Sequence, residues 1–159
     1  MYGPPDGPLN QGDVIAGVPF YIRQDHSREL VSVPGLVYSH SCDIDKYDET
    51  KHSLTGNQKK RWPVQMIPLL SPKNVDAGAL GDVKAGRHRR YFYLPKESPH
   101  HELVADFWLA QPIPLLVVQG LQRVATLSDE HLAKLWTHSF VAVSRKDPAR
   151  VFQGGRLAS

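Results

Sequence analysis

Short apolar runs bounded by proline and glycine make up most of this chain, and they predict strands more often than helices. Residues 13–21 (DVIAGVPFY) are rich in β-branched and aromatic side chains and predict a first strand, with Gly17 marking a bulge or bend. The turn signal Val33-Pro34-Gly35 precedes a second strand at 36–41 (LVYSHS), and 63–70 (PVQMIPLL) gives a third, which Pro68 assigns to an edge or a bulge. Residues 89–94 (RRYFYL) and 103–109 (LVADFWL) supply a fourth and a fifth, separated by a turn at 99–102. In the fifth, Val104, Asp106 and Trp108 share one face, and Leu103, Ala105, Phe107 and Leu109 the other. The run 112–118 (PIPLLVV) is a buried strand or part of a homodimer face.

One helix stands out. Ser128 is a suitable N-cap, and Asp129 and Glu130 occupy the first turn, where the helix dipole favours acid. Leu132, Leu135, Trp136, Phe140 and Val143 then form an apolar stripe, and Asp147-Pro148 stops the helix. Residues 45–61 are polar without period and read as a long loop, and 71–86 as a Gly/Asp/Asn-rich connection. Residues 1–10, with Pro4, Pro5 and Pro8, read as a flexible leader; 11–145 form a single domain, and 146–159 a flexible tail. The fold class is therefore mainly β: a small, strongly bent sheet or barrel with a C-terminal helix packed on it.

Composition narrows this little. The chain has 159 residues, 41% hydrophobic and 22% charged, which suits one globular domain and excludes a disordered or collagen-like chain. A single cysteine excludes a disulfide framework and fits a reducing, cytoplasmic setting. No run is long enough to span a bilayer and no signal peptide opens the chain, so no membrane partner is expected. The net charge of +3 permits an acidic partner such as nucleic acid without requiring one.

Three groups of residues carry candidate chemistry. Arg87, His88, Arg89 and Arg90 run into Tyr91, Phe92 and Tyr93. Guanidinium beside exposed tyrosine suits phosphate contact and base stacking, and marks Arg87, Arg89, Tyr91 and Tyr93 as nucleic-acid-binding candidates. On a strand, Arg89 shares a face with the two tyrosines, while Arg90 shares the core face of Phe92 and Leu94. The competing reading has the arginines solvated or paired with Asp43, Asp45 or Asp106. His40 and Cys42, two apart on a predicted strand, leave the same face, where the imidazole can activate the thiol. A buried structural cysteine is the alternative. The remaining histidines and carboxylates show no metal-ligand spacing, so neither a metal nor a cofactor is expected. Lys59-Lys60-Arg61-Trp62 is a second basic and aromatic patch. Trp108, Trp136 and Phe140 read as core.

The order of these elements resembles the PemK/MazF-like small β-barrels, the fold of toxin ribonucleases in toxin–antitoxin pairs. The resemblance rests on Gly12-Asp13-Val14-Ile15 at the start of the first strand, Ile67-Pro68-Leu69-Leu70-Ser71 at the end of the third, and Arg123-Val124-Ala125-Thr126-Leu127-Ser128 leading into the last helix. It implies an RNA-directed protein, either a metal-independent endoribonuclease or a relative that only binds RNA, with an antitoxin-like partner. It places Ser71 in the Ser/Thr position of that family. The family's second-strand arginine is missing, and Ser39-His40-Ser41-Cys42-Asp43 stands there instead. The cleft expected on this reading is lined by Arg87, His88, Arg89 and Ser71, with His40 or His88 as general acid or base. The alternative is a non-catalytic interaction module, of phage or mobile-element origin, that binds a host protein.

Overall fold

The computed structural model describes residues 2–3, 7–24, 27–97 and 101–144. Eight strands form the framework: β1 (Tyr2–Gly3), β2 (Asp13–Gln24), β3 (Ser27–Val37), β4 (Pro63–Leu70), β5 (Tyr91–Leu94), β6 (Leu103–Asp106), β7 (Gln111–Pro114) and β8 (Arg123–Leu127). Helices α1 (Ser41–Thr50), α2 (Gly56–Arg61), α3 (Leu80–Lys84), α4 (Leu115–Gln119) and α5 (Asp129–Ser144) lie between and after them. The sheet order is β1-β8-β2-β3-β4-β6-β5, with β7 also paired to β4, and each described pairing is antiparallel. A mainly β sheet with a C-terminal helix is the architecture that the strand pattern predicted.

Both faces of the sheet are covered, and the two-residue strand period decides which side chain goes where. Ile15, Val18, Phe20, Val37, Val64 and Met66 pack with Ile44 and Tyr47 of α1 and with Leu115 and Val118 of α4. Their strand neighbours Val14, Leu36, Ile67 and Leu69 face the other way, onto Leu135 of α5. A third, smaller cluster joins Val75, Val83 and Val104, with Tyr91 and Tyr93 against it.

Two glycines are required within the sheet, for different reasons. Gly17 has φ +69°, and the β2–β3 register shifts between Ile15 and Val18, as expected of a bulge. Gly35 serves close packing: a Cβ there would lie 2.9 Å from Val18 Cγ2 and 3.0 Å from both Met66 Cε and Phe20 Cζ. The predicted turn at Val33-Pro34-Gly35 is thus corrected. These residues continue β3, and the strand ends at Val37 instead of running to Ser41.

Other expectations are also revised. The loop expected over 45–61 is helical in large part, because His40 caps α1 and a Thr55–Gln58 capping box starts α2. β4 is central, with β3 on one side and β7 then β6 on the other. Pro68 is accommodated because β7 pairs with Pro63 to Met66 and β6 with Leu69 and Leu70, so the handover falls where no N–H is present. The fourth strand begins at Tyr91, leaving Arg89 and Arg90 outside it. The fifth stops at Asp106, whose carboxylate accepts from the Trp108 N–H and starts a 3-10 turn over Phe107–Leu109. The run at 112–118 splits into the end of β7 and α4, so Leu116 and Val117 are exposed.

Within the expected leader, Tyr2 and Gly3 pair with Leu127 and Thr126 of β8. The buried Asp13 carboxylate ties the same region together. It accepts from Arg123 Nη1 at 2.9 Å, from the Asn10 N–H at 2.7 Å and from the Thr126 hydroxyl. Arg123 also donates to the carbonyls of Pro8 and Gly7. Leu135 is fully buried, but Trp136 is 37% exposed, with its indole N–H donating to Gln11 Oε1. The side chains of Phe140 and Val143, part of the 99–102 turn and the 146–159 tail lie outside the described residues.

Candidate nucleic-acid interface

The Arg/His cluster sits on the connection from α3 into β5. Gly86, at φ +69°, turns the chain out of α3, and the Arg87 N–H donates to the Asp82 carbonyl at 2.8 Å. The Arg87 guanidinium donates to Asp82 Oδ1 through Nε at 3.1 Å and Nη2 at 2.7 Å. Both partners are well exposed, so this pair is worth at most about 1 kcal/mol. His88 stacks on Tyr91 with ring centroids 4.9 Å apart, and its Nδ1 accepts from the Arg90 N–H at 3.3 Å. In the neutral ring the proton is then on Nε2. Arg89 is exposed and has no ion pair among the described residues.

Arg90 behaves differently. Its Nε donates to Asp106 Oδ1 at 2.8 Å and its Nη2 to Oδ2, forming a bidentate pair. That hydrogen bonding holds the Arg90 guanidinium pKa above its ordinary value. The same guanidinium lies 4.8 Å from the Tyr91 ring centroid and 5.1 Å from that of Trp108. Trp108 is 74% exposed, correcting its expected place in the core. The 3-10 turn capped by Asp106 directs the indole outward, and Arg90 supports it from beneath.

Arg87, His88 and Arg89 form a ridge with a cavity on each side. One, of about 610 Å³, lies between the ridge and α5 and is lined by Phe92, Ala133, Lys134, Thr137 and His138 among others. The second, of about 790 Å³, is bounded by Arg90, Tyr91, Trp108, Asp76 and Asp82. Arg87, His88 and Arg89 line both. Lys134 is paired with Glu130 at 2.6 Å and Arg87 with Asp82, so Arg89 is the ridge cation with no carboxylate partner among the described residues.

His138 closes the wall of the smaller cavity. Its ring stacks on Phe107 and meets Phe92 edge-on, with both centroid separations 5.5 Å. Its Nε2 is buried without a hydrogen-bond partner. Burial lowers the imidazole pKa below its ordinary value; the backbone of Arg89 and His88 pulls the other way, without completing a bond to Nε2. Above the unfolded value, near pH 6.5, both states are neutral and the contribution to stability is complete. As pH falls, the unfolded chain takes up the proton first and stability is lost. Urea midpoints between pH 7.5 and 5 should therefore fall less steeply for His138→Leu than for the parent. Parallel slopes would contradict this assignment.

The other sequence candidates occupy separate places. His40 and Cys42 are adjacent, but through a helix start instead of a strand face. His40 caps α1, accepting from the Cys42 N–H at 3.4 Å, and its Nδ1 lies 3.0 Å from the exposed Cys42 Sγ. The His40 ring neighbours Trp136, with centroids 6.4 Å apart. Strands β4 and β6 lie between β3 and β5, so sheet pairing does not bring Cys42 beside Arg87 to Arg90. Ser71 caps the 3-10 turn Pro72–Asn74 and lines neither cavity. The Tyr93 hydroxyl donates to Glu102 at 2.6 Å, which pushes its pKa up to about 12, and Lys84 lies over its ring. Lys59, Lys60 and Arg61 form the last turn of α2, and Trp62 packs on Tyr47.

Trp108 and His138 were not found from sequence as site residues. Trp108 carries a local signal, an aspartate two residues earlier that caps a turn, whereas the partners of His138 come from β5 and the turn after β6. Among the described residues, no three His, Cys, Asp or Glu side chains gather as metal ligands, and no helix is long and apolar enough to cross a membrane.

No family model matches the chain, and no curated protein matches it. Among solved structures it is similar to a chain in the crystal structure of MazE-MazF (Form-II) from Deinococcus radiodurans. Identity is 13% and the TM-score 0.49, over 89% of this chain and 100% of that one.

Proposed function

We propose that this chain is an RNA-directed protein that holds single-stranded RNA on the face built by His88, Arg89 and Trp108. The observation that carries the reading is the pairing of an exposed guanidinium at Arg89, without an ion pair among the described residues, with an exposed indole at Trp108 on one cavity. A phosphate needs the first and an unstacked base the second. Arg90 supports the indole and is already engaged by Asp106, so it serves the platform instead of the phosphate.

The reading covers metal-independent cleavage as well as binding alone. Cleavage needs a group to take the 2′-hydroxyl proton, a cation on the phosphate and an acid for the leaving oxygen. His88 is the ridge imidazole suited to move a proton, and Arg89 the cation. Incubating the protein with an RNA ladder in EDTA distinguishes a nuclease from a binder.

Binding isotherms at three salt concentrations test the core of the reading. Arg89→Ala should weaken single-stranded RNA binding and reduce the log–log salt slope by about 0.7, one phosphate contact. Trp108→Ala should lower affinity roughly tenfold with the slope kept, since stacking releases no counterion. A parent protein that binds no RNA at low salt would sink the reading. The alternative, a protein-interaction module, is favoured by the exposed cross-strand pair Tyr21 and Leu30 on β2 and β3. Its partner would be an antitoxin-like or host protein, or a second copy in a homodimer.

A further inference from the structure

The ridge separates two cavities of different character. The larger is lined by Tyr91 and the exposed Trp108 and also by Asp76 and Asp82. The smaller has an apolar floor from Phe92 and Ala133 and a wall from the His138 ring. Arg87, Arg89, Lys134 and Glu130 also line it, and with Lys134 paired to Glu130 and Arg87 to Asp82, Arg89 is the cation left for a phosphate among the described residues. A volume of about 610 Å³ lies within the usual range for a small-molecule site. An apolar slot with the Arg89 guanidinium at its edge matches a flat aromatic group attached to a phosphate.

Thr137 gives this slot a chemical preference. Its hydroxyl donates to the Ala133 carbonyl, with Oγ1 3.0 Å from that oxygen. The hydroxyl proton is thereby engaged within the helix, and the oxygen offers only lone pairs to a neighbour. An acceptor of this kind suits an exocyclic amino group, which cytosine carries at N4 and adenine at N6. Uracil presents a carbonyl oxygen at the equivalent edge, and two acceptors repel.

Resting on the RNA reading above, we infer that the ridge is straddled by one dinucleotide step. The phosphate lies on Arg89, one base stacks on Trp108, and the adjacent base enters the cavity against α5, where Thr137 selects an amino-bearing base. The ligand class is single-stranded nucleic acid with cytosine or adenine at that position. α5 then has a part in recognition as well as in closing the core.

Fluorescence anisotropy with labelled hexacytidylate and hexauridylate tests the inference, using the full chain. The parent should bind the cytosine oligomer about tenfold tighter, the discrimination of one good base-edge contact. Thr137→Val keeps the side-chain shape and should bring that ratio to about one. Ala133→Trp, at an exposed helix position, fills the cavity and should weaken hexacytidylate binding about tenfold. Thermal melts confirm that both variants fold. If the parent binds both oligomers equally, or if Ala133→Trp binds hexacytidylate as the parent does, the subsite is overturned while RNA binding itself stands. If the parent binds neither oligomer, the RNA reading and the subsite fall together.

Discussion

Leu135→Ala lowers the free energy of unfolding by about 2–5 kcal/mol, the range for removing a large buried aliphatic side chain from a packed core. Leu135 is fully buried and belongs to the cluster formed by Val14, Leu36, Ile67, Leu69, Leu94, Ala105, Ala125 and Leu127. These residues come from β2, β3, β4, β5, β6 and β8, so Leu135 belongs to a core that spans most of the sheet, and Leu132 packs against the same cluster. The upper half of the range is expected, because strands already fixed by their ladders cannot close onto the cavity left behind. Urea unfolding followed by circular dichroism measures it. A midpoint equal to the parent's would show that α5 does not dock through this residue. On the RNA reading proposed above, the variant should also lose RNA affinity, because Ala133, Lys134, Thr137 and His138 on the same helix line the smaller cavity.

Arg90→Ala is expected to cost about 3 kcal/mol, near the lower end for breaking a buried ion pair by removing one partner. The asymmetry of the pair sets that value. Asp106 is 0% exposed and stays behind as an uncompensated carboxylate, while the Arg90 side chain is 30% exposed and partly solvated already. Removing both charges should be milder than removing one: Arg90→Met with Asp106→Leu should recover part of the loss. The recovery is incomplete because Asp106 also accepts from the Trp108 N–H at 3.1 Å. A double-mutant cycle in urea gives the coupling directly. A loss below about 1 kcal/mol for Arg90→Ala would place the pair with ordinary surface bridges. Arg89→Ala, one residue away, should leave the unfolding curve unchanged, because its guanidinium has no ion pair among the described residues.

The strands were legible in sequence where burial is on both faces. In β4 nearly every residue from Val64 to Leu69 is buried, so the apolar run is continuous and its ends are sharp. The helices at α1 and α2 were not legible, because α1 buries only Ile44 and Tyr47 and α2 buries nothing. Their evidence lies in caps, His40 and the Thr55–Gln58 box, instead of in periodicity. α4 was lost for the opposite reason: Leu115 to Val118 is apolar throughout, and a short apolar run does not distinguish strand from helix.

At the site, the charge run from Arg87 to Arg90 was evident, and so was the need for its two adjacent arginines, Arg89 and Arg90, to play different parts. The partner of Arg90 was not determined, since Asp43, Asp45 and Asp106 were equal candidates until the pairing of β5 with β6 placed Asp106 opposite Tyr91. Trp108 was misassigned because counting alternate faces assumed that the strand continued past Asp106. Side-chain capping ends it there, and a ring assigned to the interior faces solvent.

The closing of β8 onto β2 has a consequence for synthesis on the ribosome. Asp13 and Thr126, linked by a side-chain hydrogen bond, are 113 positions apart. As the chain emerges, β2 and β3 can pair at once as a hairpin, but Asp13 to Ile15 must wait for Arg123 to Leu127. Until then that edge of β2 presents unpaired backbone groups to other nascent chains. The Asp13 carboxylate sits on that waiting edge, where the native β2–β8 register itself shifts between Val14 and Ile15, and a charge and a break in register are two devices that discourage a foreign strand from adding there. Arg123 then arrives with β8 and neutralises the charge as the native edge closes, so the guard is removed by the strand it was kept for.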